Sequence, residues 1–197
     1  TGTSMASDEL ARVHEVVSQR GGFTLVDEIY LGLSFDKAYG QSALAHSEDI
    51  ISINSFSKYF NMTGWRLGWL VAPENLVPTI ERLAQNLFIC ANSVAQYAAL
   101  ACFEPESLAI YEQRRAAFKQ RRDFFLPKLN AMGLHVPVTP DGAFYAWADC
   151  RAACQRLGLK DSWAFAEHVM QHAHVALTPG KDFGDHAPQN HVRMSTA

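Results

Sequence analysis

The chain has 197 residues, of which 48% are hydrophobic and 19% charged, and its formal net charge is −3. That length holds one or two domains with a real core, and the absence of any long basic run sets aside nucleic acids and anionic membrane surfaces as partners. Four cysteines, Cys90, Cys102, Cys150 and Cys154, lack the density of a disulfide scaffold and read as reduced thiols of a cytoplasmic protein.

In chain order, residues 4–19 read as a helix. Ser4 or Ser7 is placed to cap it, Asp8 and Glu9 suit its first turn, and Leu10, Val13, Val16 and Val17 form an apolar stripe. Gly21-Gly22 ends it. Residues 23–26 are a short apolar run followed at once by Asp27-Glu28, the pattern of a buried parallel strand with functional residues at its carboxyl end. Residues 31–47 read as loop. A second strand spans 49–54 and a third 67–72. Helices are expected over 73–88 and 94–103, and a long charged helix over 105–132 with a bend at Pro127. The uncharged run 83–103 contains Gln85, Asn86, Asn92, Ser93 and Gln96. It is therefore a poor membrane span, and it reads as a buried helix or a subunit interface.

From Gly133 the pattern changes. Residues 136–138 and 143–147 read as strands around a Pro140-Asp141-Gly142 turn, a helix covers 162–172, and strands follow at 175–177 and 191–194. The fold class is α/β. A mixed, mostly parallel sheet belongs to a large domain represented by residues 1–104. A long interdomain helix covers 105–130, and a smaller α+β domain covers 131–197.

The stretch 54–69, N-S-F-S-K-Y-F-N-M-T-G-W-R-L-G-W, organises the rest. Lys58 lies within four residues of a strand end, where a lysine is costly unless its amine is used. A deprotonated lysine is a nucleophile for carbonyl groups, and the carbonyl cofactor that exploits one is pyridoxal 5′-phosphate. That cofactor makes four demands. Its aldehyde needs an amine, which Lys58 offers as a Schiff-base lysine. Its ring nitrogen needs a carboxylate, and Asp27 at a strand end is placed for it. Its phenolic oxygen needs a donor, and Tyr30 lies three residues beyond Asp27. Its phosphate needs a cation and a hydroxyl, for which Arg66 and Ser55 are suited. Taken singly, Asp27 is a cap or loop carboxylate, Tyr30 a rim aromatic, Lys58 a solvated lysine and Arg66 an ion-pair arginine. The joint pattern D-E-x-Y followed by S-x-S-K-x7-R is far more specific.

Residues 26–30, 54–69, 140–145, Thr178-Pro179-Gly180 with Phe183-Gly184, and 192–195 together resemble the class I/II aminotransferases of pyridoxal-phosphate fold type I, in order along the whole chain. Thr1-Gly2-Thr3 resembles the tail of that family's Asn-Pro-Thr-Gly-Thr motif. The resemblance implies that Lys58 carries the cofactor and moves the substrate proton, that Asp27, Tyr30, Ser55 and Arg66 bind the cofactor, and that Arg193 clamps the substrate α-carboxylate. It further implies transfer of an amino group between an α-amino acid and a 2-keto acid in a homodimer with shared sites. A same-fold lyase or synthase, and the aminotransferase-like effector domain of a transcription regulator, share these residues. The family's asparagine and stacking aromatic lie upstream of Thr1. The chain is thus expected to be a fragment lacking the N-terminal part and to bind cofactor weakly or not at all by itself; that the fragment is inert alone is a further reading. No arginine stands between Arg82 and Arg114, which favours neutral or aromatic substrates over dicarboxylates.

His168 and His172, four apart on a helix, have metal-ligand spacing, but no H-E-x-x-H accompanies them and they read as a solvated face. No metal site is expected. Asp182-Phe183-Gly184 reads as a turn, and Cys150 and Cys154 as packed or half-exposed thiols.

Overall fold

A computed structural model describes residues 2–197; Thr1, and with it the first residue of the Thr1-Gly2-Thr3 match, lies outside them. The chain forms two compact units, Ser4–Arg115 and Ala116–Ala197, the latter joined by Gly2 and Thr3.

In the first unit, α1 spans Ser7–Gln19. It starts later than its sequence suggests, and its N-cap is Ala6 rather than a serine. The Ala6 backbone N–H is met by Glu9 Oε2 at 3.4 Å. Gly21 then takes a left-handed φ of 69° that lets the chain leave the helix. Three strands follow, β1 Leu25–Asp27, β2 Ile51–Ser55 and β3 Gly68–Val71, in the order β1-β2-β3. The β1–β2 pair is parallel with Asp27 opposite Ile53; the β2–β3 pair is antiparallel with Ser55 opposite Gly68. The sheet is therefore mixed, and β1 ends on Asp27 itself, one residue beyond the expected apolar run.

The connection between β1 and β2 is not featureless. It contains three single turns of 3-10 helix, Leu31–Leu33, Lys37–Tyr39 and Ala43–Ala45. Asp36 and Ser42 cap the last two, Asp36 Oδ1 accepting from Ala38 N at 2.9 Å and Ser42 Oγ from Leu44 N at 3.3 Å.

After β3 a 3-10 turn at Glu74–Leu76 precedes α2, Val77–Leu87. Pro78 near the helix start lacks the N–H that would have no helical partner there. Helix α3, Ser93–Leu100, is capped by Asn92, whose side chain accepts from Ala95 N at 3.1 Å. The run 83–103 is thus not one buried helix. Ala95, Ala99 and Cys102 turn inward, while Leu87, Phe88, Ile89, Val94, Tyr97 and Leu100 are exposed by 61–78%. The core of this unit is Phe56, Met62, Leu67, Ala95, Ala99, Cys102 and Tyr111, with Tyr59 and Phe60 against it. Phe56, Met62 and Leu67 of that core, and the flanking Tyr59 and Phe60, come from the stretch that carries Lys58. Helix α4, Pro105–Ala131, runs on into the second unit and includes Pro127 near its end.

The second unit is built on β4 Tyr145–Asp149, β5 Thr178–Pro179 and β6 His191–Ser195, an antiparallel sheet in the order β4-β6-β5. Helix α5, Arg151–Leu157, which sequence periodicity does not reveal, and α6, Ser162–Ala173, pack on it. Strand alternation sends Ala146, Ala148, Val192 and Met194 into the core, each at most 5% exposed. The opposite face carries Tyr145, Trp147, His191 and Arg193. Residues 136–138 do not form the expected strand. Pro137 has no N–H to give to a ladder, the Val136 N–H is taken by Asn130 Oδ1 at 2.9 Å, and only a single bridge joins His135 to Asp149. Among the described residues no helix is long and apolar enough to cross a membrane.

Candidate active site

Two adjacent parallel strands present their carboxyl ends together, and that is where the chemistry-bearing side chains of the first unit lie. Asp27 closes β1 and Ser55 closes β2. Asp27 is exposed, and its Oδ1 accepts the Ile29 N–H at 3.1 Å, which turns the chain sharply toward Tyr30. Lys58 lies in the turn after β2, and its Nζ is 5.6 Å from the Tyr30 ring centroid.

That turn is held at several points. Phe56 N donates to Leu67 O at 3.1 Å, Met62 N to Phe56 O at 2.9 Å, and Asn61 N to Lys58 O at 3.0 Å. Thr63 Oγ1 donates to Ser57 O at 2.6 Å. Ser55 Oγ accepts from Ser57 N at 3.0 Å and donates to Leu67 O at 3.3 Å. Phe56 and Met62, buried on either side of Lys58, tie the turn to the core. The lysine is therefore carried on a stiff loop and not on a flexible surface strand.

Arg66 stands at the far end of the same loop, next to the Leu67 carbonyl that receives both Phe56 N and Ser55 Oγ. Its backbone is left-handed, with φ 53° and ψ 48°, and its Nη1 donates to Thr63 O at 2.8 Å. A non-glycine residue in that region costs on the order of 1 kcal/mol or more, and such strain gathers at functional positions. Gly68, which follows closely, lets β3 approach β2: a Cβ there would stand 2.7 Å from Asn54 O.

Sequence reasoning missed Glu28. This carboxylate is 6% exposed. Its oxygens accept from Ser42 Oγ at 3.0 and 3.1 Å, Ala43 N at 2.6 Å and Ser52 Oγ at 2.7 Å. It binds the β1 end, the Ala43–Ala45 turn and β2 into one piece beside Asp27. The donors lie fourteen to twenty-four positions away, so nothing local announces the role. Tyr59 was missed for the same reason: its Oη donates to Glu112 Oε1 at 2.7 Å across fifty-three positions.

Arg193 belongs to the other unit, in the middle of β6, opposite Trp147 of β4 and Thr178 of β5. Its Cζ is 4.3 Å from the Tyr145 ring centroid and 4.4 Å from that of Phe183. His168 and His172 stack on each other with centroids 4.1 Å apart, and His172 Nδ1 meets His168 O at 2.9 Å. Among the described residues no group of three or more His, Cys, Asp or Glu side chains is placed to hold a metal ion. Cys150 and Cys154 are both buried, with Sγ atoms 3.8 Å apart, and burial pushes the Cys150 thiol up to about 12. Neither behaves as a nucleophile at neutral pH.

An amine, a carboxylate, a phenol, a hydroxyl and a guanidinium on one end of the sheet and its adjoining loop match the four demands of pyridoxal phosphate by chemistry. The comparisons identify the family. The sequence profile of aminotransferase class I and II matches residues 1–197. A valine–pyruvate aminotransferase of Mycobacterium tuberculosis is 35% identical over 198 residues, covering 100% of this chain and 50% of that protein. An aspartate aminotransferase of Geobacillus stearothermophilus is 34% identical over 201 residues, again covering 100% and 50%. The chain thus spans about half the length of the curated relatives it matches. Among solved structures, an aminotransferase from Mycobacterium tuberculosis superposes with a TM-score of 0.90 at 35% identity, covering 100% of this chain and 50% of that one. An aromatic aminotransferase from Pyrococcus horikoshii gives 0.87 at 32% identity, covering 100% and 52%. With the profile spanning every residue, the chain belongs to the class I and II aminotransferases, a family that uses pyridoxal phosphate.

Proposed function

We propose that the chain is the lysine-bearing part of a pyridoxal-phosphate-dependent aminotransferase that moves an amino group between an α-amino acid and a 2-keto acid. The observation that carries this reading is the position of Lys58, on a stiff turn with its Nζ beside Tyr30, where β1 has just ended in Asp27.

The roles follow from the side chains. Lys58 Nζ is the amine that would hold the cofactor and, once the substrate amine has taken its place, would accept the proton from the substrate Cα and pass it to the cofactor, not back to Cα. Asp27 sets a negative charge where the ring nitrogen must stay protonated. Tyr30 donates to the phenolic oxygen. Ser55 and the forked guanidinium of Arg66 hold the phosphate. Arg193 pairs with the substrate α-carboxylate. Bound there, pyridoxal phosphate supplies the electron sink for the negative charge left on Cα.

Residues 1–104 in this reading belong to the large cofactor domain, 105–130 to the interdomain helix and 131–197 to the small domain. The exposed apolar side chains of 87–100 are the contact for a second copy in a cytoplasmic homodimer; burial of such a face is what an obligate interface requires. Substrates with neutral or aromatic side chains fit the lack of arginine between Arg82 and Arg114. The valine–pyruvate and aromatic aminotransferases among the relatives support that choice, although an aspartate enzyme also matches.

Borohydride reduction of the chain with pyridoxal phosphate, followed by peptide mass spectrometry, tests the assignment even where occupancy is low. A pyridoxyl group concentrated on Lys58, and lost in Lys58→Ala, is the expected result. Modification spread evenly over Lys37, Lys119, Lys128, Lys160 and Lys181 would refute it.

A further inference from the structure

Arg193 is half-buried, yet none of the hydrogen bonds or ion pairs among the described residues engages its guanidinium. Asp149, on the same face of β4, is taken by Arg151. Instead the planar group lies over two rings at once, Tyr145 at 4.3 Å and Phe183 at 4.4 Å. The rings are themselves fixed. Phe183 meets Trp147 edge-on at 5.4 Å and 90°, Trp147 stacks on His191 at 5.3 Å and 12°, and Tyr145 packs on Phe144 at 4.6 Å. The arrangement is a guanidinium held 4.3 and 4.4 Å from the centroids of two aromatic rings, with no hydrogen-bond acceptor for its N–H groups among the described residues.

We infer that Tyr145 and Phe183 are positioning residues that pre-set Arg193 for a planar carboxylate. This rests on the reading of Arg193 as the carboxylate-binding arginine. An unrestrained arginine gives up rotamer entropy when a ligand fixes it, and the rings remove part of that cost beforehand. They also keep water from the guanidinium face, which lowers the local dielectric and strengthens pairing at its edge. A lysine cannot stack in this way, so the site is built for arginine specifically.

The side-chain Nε–H signal of Arg193, identified by its absence in Arg193→Lys, reports on both points in the full chain. In the wild-type protein the two rings shield it, so it stands upfield of the other arginines and moves on titration with pyruvate. Tyr145→Leu and Phe183→Leu shift it downfield and weaken pyruvate by roughly three- to fivefold each. Tyr145→Phe and Phe183→Tyr keep the ring and keep the affinity. Leucine variants that fold by circular dichroism and bind pyruvate as the wild type does would overturn the inference while leaving Arg193 as the carboxylate site. A wild-type signal that stays upfield but ignores pyruvate would remove that reading, and the inference with it. Should the leucine variants not fold, the wild-type signal decides alone: at the unshielded arginine position it overturns the ring clamp.

Discussion

Tyr59 Oη donates a 2.7 Å hydrogen bond to Glu112 Oε1, so the residue next to Lys58 is tied to the first half of α4. Glu112 is also gripped by Arg115, whose Nε donates to Oε2 at 3.0 Å, and Arg115 Nη1 reaches Ser34 O at 2.8 Å. One cluster therefore ties together the Lys58 turn, α4 and the segment after Tyr30. Burial first, and then the Glu112 carboxylate, push the Tyr59 phenol up to about 12. The hydrogen bond from Arg115 holds Glu112 below the usual carboxylate range.

The pH dependence follows with opposite signs. The raised Tyr59 contributes stability that is present below its ordinary value of 10.0 and is lost as pH rises toward about 12. The depressed Glu112 contributes stability present above its ordinary value of 4.5 and lost as pH falls through its lower folded value. Tyr59→Phe removes the first contribution and costs about 1 kcal/mol at neutral pH, since the bond is partly solvated. Urea midpoints across the alkaline range should show a flatter decline in the variant. Identical alkaline limbs would show that the bond carries no such weight.

Glu28→Ala leaves the Ala43 N–H and the Ser52 hydroxyl buried without their acceptor. We expect a loss of about 2–4 kcal/mol in chemical denaturation, the range for stripping a charged acceptor from a buried cluster. Glu28→Gln keeps one oxygen but turns an N–H₂ toward donors, so it falls between. A cost below about 1 kcal/mol for Glu28→Ala would mean that water replaces the carboxylate without penalty.

The local placement of the candidate residues was legible in the sequence because they sit close along the chain. Asp27 to Tyr30 and Ser55 to Arg66 are each set by local geometry, a strand end followed by a tight turn. Tyr59 to Glu112, Glu28 to Ser52 and Arg193 to Phe183 were not legible, because these pairs are made by folding and carry no periodic signal. The strand expected at 136–138 failed on one atom, the missing N–H of Pro137. The run 83–103 was apolar as read, but apolarity cannot say whether a face meets its own core or a second chain. Here the small Ala95 and Ala99 face inward and the large Ile89 and Tyr97 face out.

Gly68→Ala tests the close approach of β3 to β2, the strand that leads into the Lys58 turn. Its Cβ would stand 2.7 Å from a backbone oxygen, Asn54 O, which has no rotamer to give. We expect destabilisation of about 1–3 kcal/mol. Gly64→Ala, with no atom within 4 Å of the new Cβ, should be neutral or stabilising by about 0.4–1 kcal/mol through the unfolded chain. Equal thermal midpoints for the two variants would contradict the steric account.

Arg66 separates stability from binding. Its left-handed backbone is tolerated better by asparagine than by arginine, and its one side-chain hydrogen bond among the described residues, to Thr63 O, is exposed. Arg66→Asn should therefore change stability by less than about 1 kcal/mol, with relief of strain offsetting the lost bond. The same substitution removes the guanidinium that holds the phosphate in the proposed site. Borohydride trapping at Lys58 should fall about tenfold at a fixed concentration of pyridoxal phosphate, as expected for a lost bidentate charge pair. Arg66→Lys should not restore it fully, because an ammonium offers a point charge and no fork. A large loss of stability in Arg66→Asn would make the residue structural. Undiminished trapping in a stable Arg66→Asn would take the phosphate away from Arg66 and return its strained backbone to the geometry of the β3 entry alone.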